Sequence, residues 1–132
     1  MLKILCSLFF MAGAFADTAN EQGRTIVHIL DYIAKDYAGA VQNKKILNQF
    51  EYDEQLEFVK TAKENVLAVQ IEPQLKKEIL ERVTNLAVLI ENLEDENRVA
   101  SMALEAKALA VKIFALPIIP SRAPDLTNGG QI

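Results

Sequence analysis

Four apolar stripes, each repeating every three or four residues, constrain this chain more than any other feature. Ile26, Leu30, Ile33, Tyr37 and Val41 form the first, and Tyr52, Leu56, Val59, Ala62 and Val66 the second. Leu75, Ile79, Val83, Leu86, Ile90 and Leu93 form the third, and Val99, Met102, Ala106, Leu109, Ala110 and Ile113 the fourth. Steps of that size put side chains on one face of an α-helix. A helix with a single oily face is marginal in water until that face is covered. Four such helices cover one another, and links of roughly 4 to 8 residues favour antiparallel neighbours. The expectation is an all-α antiparallel up-down-up-down four-helix bundle. Strands find no support, because no useful run alternates and the one Asn-Gly pair, Asn128-Gly129, lies in the tail.

The residues between the stripes are those that start and stop helices. Gly39 and the polar run VQNKK end the first helix. Asn48 with Glu51 three positions on has the spacing of a reciprocal cap, each side chain meeting the other's free amide. Pro73 suits the first turn of the third helix, where a missing N–H costs nothing. The cluster EDEN at 94–97 offers a turn and then an acidic start for the fourth, and Pro117 ends it.

The two ends of the chain differ from this middle. MLKILCSLFFMAGAFAD begins with Lys3, continues through an apolar run, and has small residues at Ala14 and Ala16, the layout of a secretory signal peptide cut after Ala16. The 13 residues from Ile4 to Ala16 are too few for a bilayer-spanning helix, which needs about 20. The expected division is a signal peptide at 1–16, a bundle domain at 17–116 and a Pro/Gly-rich tail at 117–132. That tail, ending PSRAPDLTNGGQI, holds turn formers and a Gly pair, and so reads as a lead-in to something further along. The single cysteine, Cys6, leaves with the leader, so the exported chain has no disulfide and no thiolate.

The formal charge is −4, and acids and bases are interspersed. Such a chain lacks the basic stripe that nucleic acid rewards. The apolar stretch ALEAKALAVKIFALPIIP is interrupted by Glu105, Lys107, Lys112 and Pro117, so no membrane span is expected in the exported product.

Reactive chemistry has little to stand on. The lone histidine, His28, and Asp31 at i+3 are the candidate metal ligands. At about 100° per residue both fall opposite the apolar stripe together with Lys35, so all three should face water and Asp31 should pair with Lys35. A di-iron carboxylate centre needs two Glu-x-x-His pairs, and this chain has one His. Haem ligation by His28 and Met102 would need both on one side, whereas Met102 belongs to a core stripe. The acids of EYDEQLE and ENLEDE read as solvated faces and caps. Arg82 lies close to the third stripe, so either its stem runs along the core with its head in water or it pairs with a neighbouring acid. No Ser/His/Asp set, phosphate loop or zinc spacing is present, and no enzyme is expected.

The segments IVHILDYIAKDYAGAV and EYDEQLEFV resemble the amino-terminal periplasmic region of bacterial iron permeases of the cytochrome c, oxidase-dependent type. In that family an exported helical domain precedes a cytochrome c domain and then the membrane permease. The likeness runs from about Thr18 to the end, and APDLTNGGQI looks like the entry to the cytochrome c part. The chain departs from the family at Asn43, Lys44 and Lys45, where a Gly is usual, and it has neither the haem attachment motif nor the paired-acid helices of the permease.

What the resemblance implies is a periplasmic accessory module of a high-affinity iron uptake system, working by protein contact. Its partners would be the permease membrane domain, the cytochrome c domain or an iron-delivering periplasmic protein. No cofactor is expected in this chain beyond weak iron binding at His28 and Asp31; haem would belong to the downstream domain. The alternatives are a stand-alone periplasmic bundle for metal binding or electron transfer, and an exported helical adaptor unrelated to iron.

Overall fold

The computed structural model describes residues 15–115; the signal-peptide segment expected at 1–16 lies outside them up to and including Ala14, as do Pro117 and the whole tail expected at 117–132. Four helices account for most of that span: α1 over Phe15–Ala40, α2 over Gln49–Ala68, α3 over Pro73–Glu91 and α4 over Glu96–Phe114. α1 packs on α2 and α4, and α3 packs on the same two, so α1 and α3 face each other across a diagonal. This is the up-down-up-down bundle that the stripes predict.

The stripes form its core. Ile26, Leu30, Ile33, Tyr37 and Val41 are all buried, as are Val59, Ala62 and Val66, and Ile79, Val83, Leu86 and Ile90. α4 buries mostly small side chains, Ala103, Ala106 and Ala110, beside Val99. Small residues on one helix let a neighbour carrying large ones come close. Met102 and Leu109 are half-buried and packed on the core rather than inside it. In α2 the assignment shifts by one position. Gln55 is buried, and Leu56 is only partly covered.

The helix ends follow their chemistry. The Asn48 side-chain oxygen accepts from the Glu51 amide at 3.0 Å, but the reciprocal half of the cap is replaced: the Asn48 amide donates to the Ala40 carbonyl at 3.4 Å. Asp95 caps α4 by accepting from the amides of Asn97 and Arg98 at 2.9 and 3.3 Å, and Pro73 opens α3. α3 ends with Leu93 at φ 54° while the Glu94 amide reaches back to the Leu89 carbonyl at 2.9 Å, the closure of a Schellman turn.

One expectation about strands needs correcting. α1 ends at Ala40, where the VQNKK run begins, but that run is not plain loop: it forms a two-residue hairpin, β1 Val41–Gln42 paired antiparallel with β2 Lys45–Ile46. Its two turn residues, Asn43 and Lys44, have φ 53° and 62°. Positive φ at both central positions is the requirement of a type I′ hairpin turn. Asn tolerates it, and Lys44 occupies it without the freedom glycine would bring.

Candidate functional site

His28 and Asp31, the expected ligand pair, do not form a site. His28 is exposed on α1. Asp31 is drawn off to other partners: its Oδ1 accepts from Lys107 Nζ of α4 at 2.8 Å and its Oδ2 meets Lys35 Nζ at 2.9 Å. The Lys35 pair is as expected, but Asp31 does not simply face water, because the bond to Lys107 ties α1 to α4. Lys107, then Lys35, holds the Asp31 carboxyl below its usual range by donating to the ionised form. Among the described residues no group of three His, Cys, Asp or Glu side chains could hold a metal ion. Arg82 takes the second of its two options, reaching Glu105 of α4 at 3.4 Å on the surface.

The acids of ENLEDE do more than cap. Glu96 Oε1 accepts from the Asn43 amide at 3.1 Å, and Glu94 lies 3.8 Å from Lys44 Nζ. The Tyr37 hydroxyl donates to the Glu94 carbonyl at 3.0 Å, and the Tyr52 hydroxyl donates to the Ile90 carbonyl at 2.9 Å. The two core tyrosines thereby tie their hydroxyls to backbone carbonyls at the end of α3 and in the turn that follows it. The hairpin, the α3–α4 turn and both phenols knit one end of the bundle together.

Below that end, α1 and α2 leave an open notch of about 330 Å³ between them. Lys35, Asp36 and Gly39 line it from α1, and Glu51, Glu54, Gln55 and Phe58 from α2. These residues belong to the last turns of one helix and the first turns of the next, so the connecting hairpin fixes their register. Gln55 is only 2% exposed. Its Oε1 is the one buried side-chain acceptor among the described residues without a donor. At the edge, the Phe58 ring tilts against that of Tyr32, centroids 6.1 Å apart. Gly39 keeps the rim low, since a Cβ there would stand 3.3 Å from Glu51 Oε1.

The notch gathers three carboxylates, those of Asp36, Glu51 and Glu54, beside Lys35 and an aromatic edge. Sequence reasoning placed Glu51 in a cap and Glu54 on a solvated face, and it missed Gln55. The available signal was Gln55 in register with Tyr52, Val59 and Ala62, a polar residue on a core stripe.

Beyond the notch, large apolar side chains face water at the hairpin end, among them Ile46, Leu47 and Phe50, the last 71% exposed. No helix among the described residues is long and apolar enough to cross a membrane.

Comparison with known families matches residues 14–117 to the iron permease-associated 4-helix bundle domain. The chain belongs to that family. No significant match was found among curated proteins or among solved structures. An iron permease-associated 4-helix bundle domain is not of a catalytic family, and it places the chain in the setting of an iron uptake system.

Proposed function

We propose that this domain is a periplasmic, non-catalytic accessory module of a high-affinity iron uptake permease system, and that it acts by contact. The membrane permease is the partner. The observation that carries this reading is the family match across residues 14–117. Two others support it. The leader-like start of the chain would export the bundle, and the exposed Leu47 and Phe50 at the hairpin end give a surface of the kind that proteins bury on contact.

The test is made in cells that carry the whole uptake system. A photo-crosslinking amino acid at Phe50 should yield an adduct with the permease, and deletion of residues 17–116 should slow uptake of iron at low external concentration. Normal uptake after deletion, with no adduct, would refute the accessory role. Purified protein with a stoichiometric metal or a visible absorption band would instead support the stand-alone metal-binding or electron-transfer bundle.

A further inference from the structure

We infer that the outer face of α4 pairs with the same face of a second copy of this chain, the two helices running antiparallel. The pairing does not use the hairpin end and is independent of the contact with the permease. It starts from a second apolar stripe on α4. Val99, Ala103, Ala106 and Ala110 turn into the core, which leaves Leu104, Ala108 and Val111, spaced by four and three residues, on another side of the helix. Leu104 is 50% exposed, Ala108 is exposed and Val111 is half-buried. Among the described residues, these three and Lys107 line an open groove of about 280 Å³. Lys107 brings no free charge to it, because its ammonium is held by Asp31 at 2.8 Å. Leucine, alanine and valine at this spacing make a narrow seam of the kind that one helix presents to another.

The charges beside the stripe select the occupant. Glu105 and Lys112 are two turns apart, so they project from one flank of α4 at an axial separation of about 10.5 Å. Both are exposed. Glu105 is held only by its 3.4 Å surface contact with Arg82, and Lys112 has no ion-pair partner among the described residues. A two-fold axis perpendicular to α4 reverses the helix and keeps this flank on the same side. Glu105 of each copy then meets Lys112 of the other, and both charges are matched. A partner of one charge sign would attract one member of the pair and repel the other.

The same register orders the apolar groups. With Glu105 opposite Lys112 the axis passes between Ala108 and Leu109, so the two Ala108 side chains meet and Leu104 of each copy lies beside Val111 of the other. A small residue at the crossing lets two helices come close. Three apolar side chains cover much less than the roughly 800 Å² per partner of a standard interface, so the pairing is weak and depends on concentration.

Sedimentation equilibrium of the full 132-residue chain, taken up to about 1 mM, tests the pairing by charge reversal. The average mass should rise from one chain toward two with no larger species, because a two-fold contact closes on itself. Glu105→Lys and Lys112→Glu should each weaken the pairing about tenfold, since each sets like charges together at two places. The double variant Glu105→Lys/Lys112→Glu should return to within about threefold of the parent chain, its pairs restored with signs exchanged. Leu104→Ser should hold the mass at one chain throughout. All three positions are exposed, so helical circular dichroism should not change.

A parent chain that stays monomeric, a dimer indifferent to the two reversals, or losses that the double variant does not recover would each overturn the inference. Association through any other part of the chain gives the second of these results. In cells that carry the uptake system, a photo-crosslinking amino acid at Ala108 should yield an adduct of two chains. An adduct with the permease, or one confined to a single chain, would give this face another occupant and overturn the pairing.

Discussion

At the scale of single residues, the core tyrosines carry polar work that their apolar neighbours cannot. Burial pushes the Tyr37 phenol up to about 12, with Tyr52 and the nearby acids adding to the shift. A raised pKa of this kind stabilises the fold in full below the ordinary value near 10, and the contribution is lost as pH rises through about 12. Thermal melts between those limits should therefore show falling stability. Tyr37→Phe should flatten that decline without abolishing it, because burial raises Tyr52 in the same direction. At neutral pH the same variant should cost about 1 kcal/mol, the usual worth of a hydrogen bond such as that to the Glu94 carbonyl. An unchanged alkaline profile would show that Tyr37 does not set it. Tyr37 was legible as a stripe residue, but its partner was not, because the carbonyl lies 57 positions away. Gln55 illustrates the opposite difficulty. Its neighbour Leu56 satisfies the same spacing rule, and hydrophobicity alone selects the wrong one of the two.

At the scale of elements, the helices were legible and their junctions were less so. Periodicity reports which face a helix buries, and the Asn48 cap, Pro73 in a first turn and the acidic EDEN cluster with Asp95 report where helices start. The hairpin at Val41–Ile46 was hidden because its turn uses Asn43-Lys44, in which lysine gives no hint of positive φ. That mismatch makes a prediction. Lys44→Gly should relieve the left-handed strain, offset in part by the freer unfolded chain, for a net gain of about 0.5 kcal/mol. Calorimetry should then record a midpoint about 2 to 4 °C higher. The loss of the 3.8 Å pair with Glu94 is a minor cost. A second prediction concerns the bond between α1 and α4. Asp31→Asn should lower stability by no more than about 1 kcal/mol, since Lys107 keeps a third of its surface in water. Because the Asp31 carboxyl is held low in the fold, its contribution is complete above the ordinary value of 3.8 and disappears as pH falls through the lowered one. Acid unfolding of the variant should be less steep below that value, and a curve parallel to that of the parent chain would show the pair to be idle.

At the scale of the whole molecule, the question is how a linear array of four helices becomes a closed square. Three of the four sides are made by helices consecutive in sequence, and their short links hold them together. The fourth side joins α1 to α4, elements at opposite ends of the domain, and no loop enforces it. Side chains must do so along that seam. Toward its middle, Asp31 meets Lys107 at 2.8 Å. Near the chain ends, Gly23 of α1 lies under Phe114, the last residue of α4, so closely that a Cβ would stand 2.6 Å from Cγ of the ring and 3.1 Å from its Cβ. The contact reaches the root of the Phe114 side chain, so rotation of the ring cannot relieve it. Helix propensity alone favours alanine over glycine inside a helix by about 1 kcal/mol, which makes the substitution a sharp test. If the seam is set by this approach, Gly23→Ala should destabilise by about 1 to 3 kcal/mol despite the propensity gain. Gly23→Ala with Phe114→Leu should recover part of the loss, because a smaller group then sits over the new methyl. Denaturant titration of the two single variants and the double variant gives the coupling directly. If Gly23→Ala instead raises stability by its propensity value, with no coupling to Phe114, the closing side of the bundle must be held by Asp31, Lys107 and the alanine face of α4 alone.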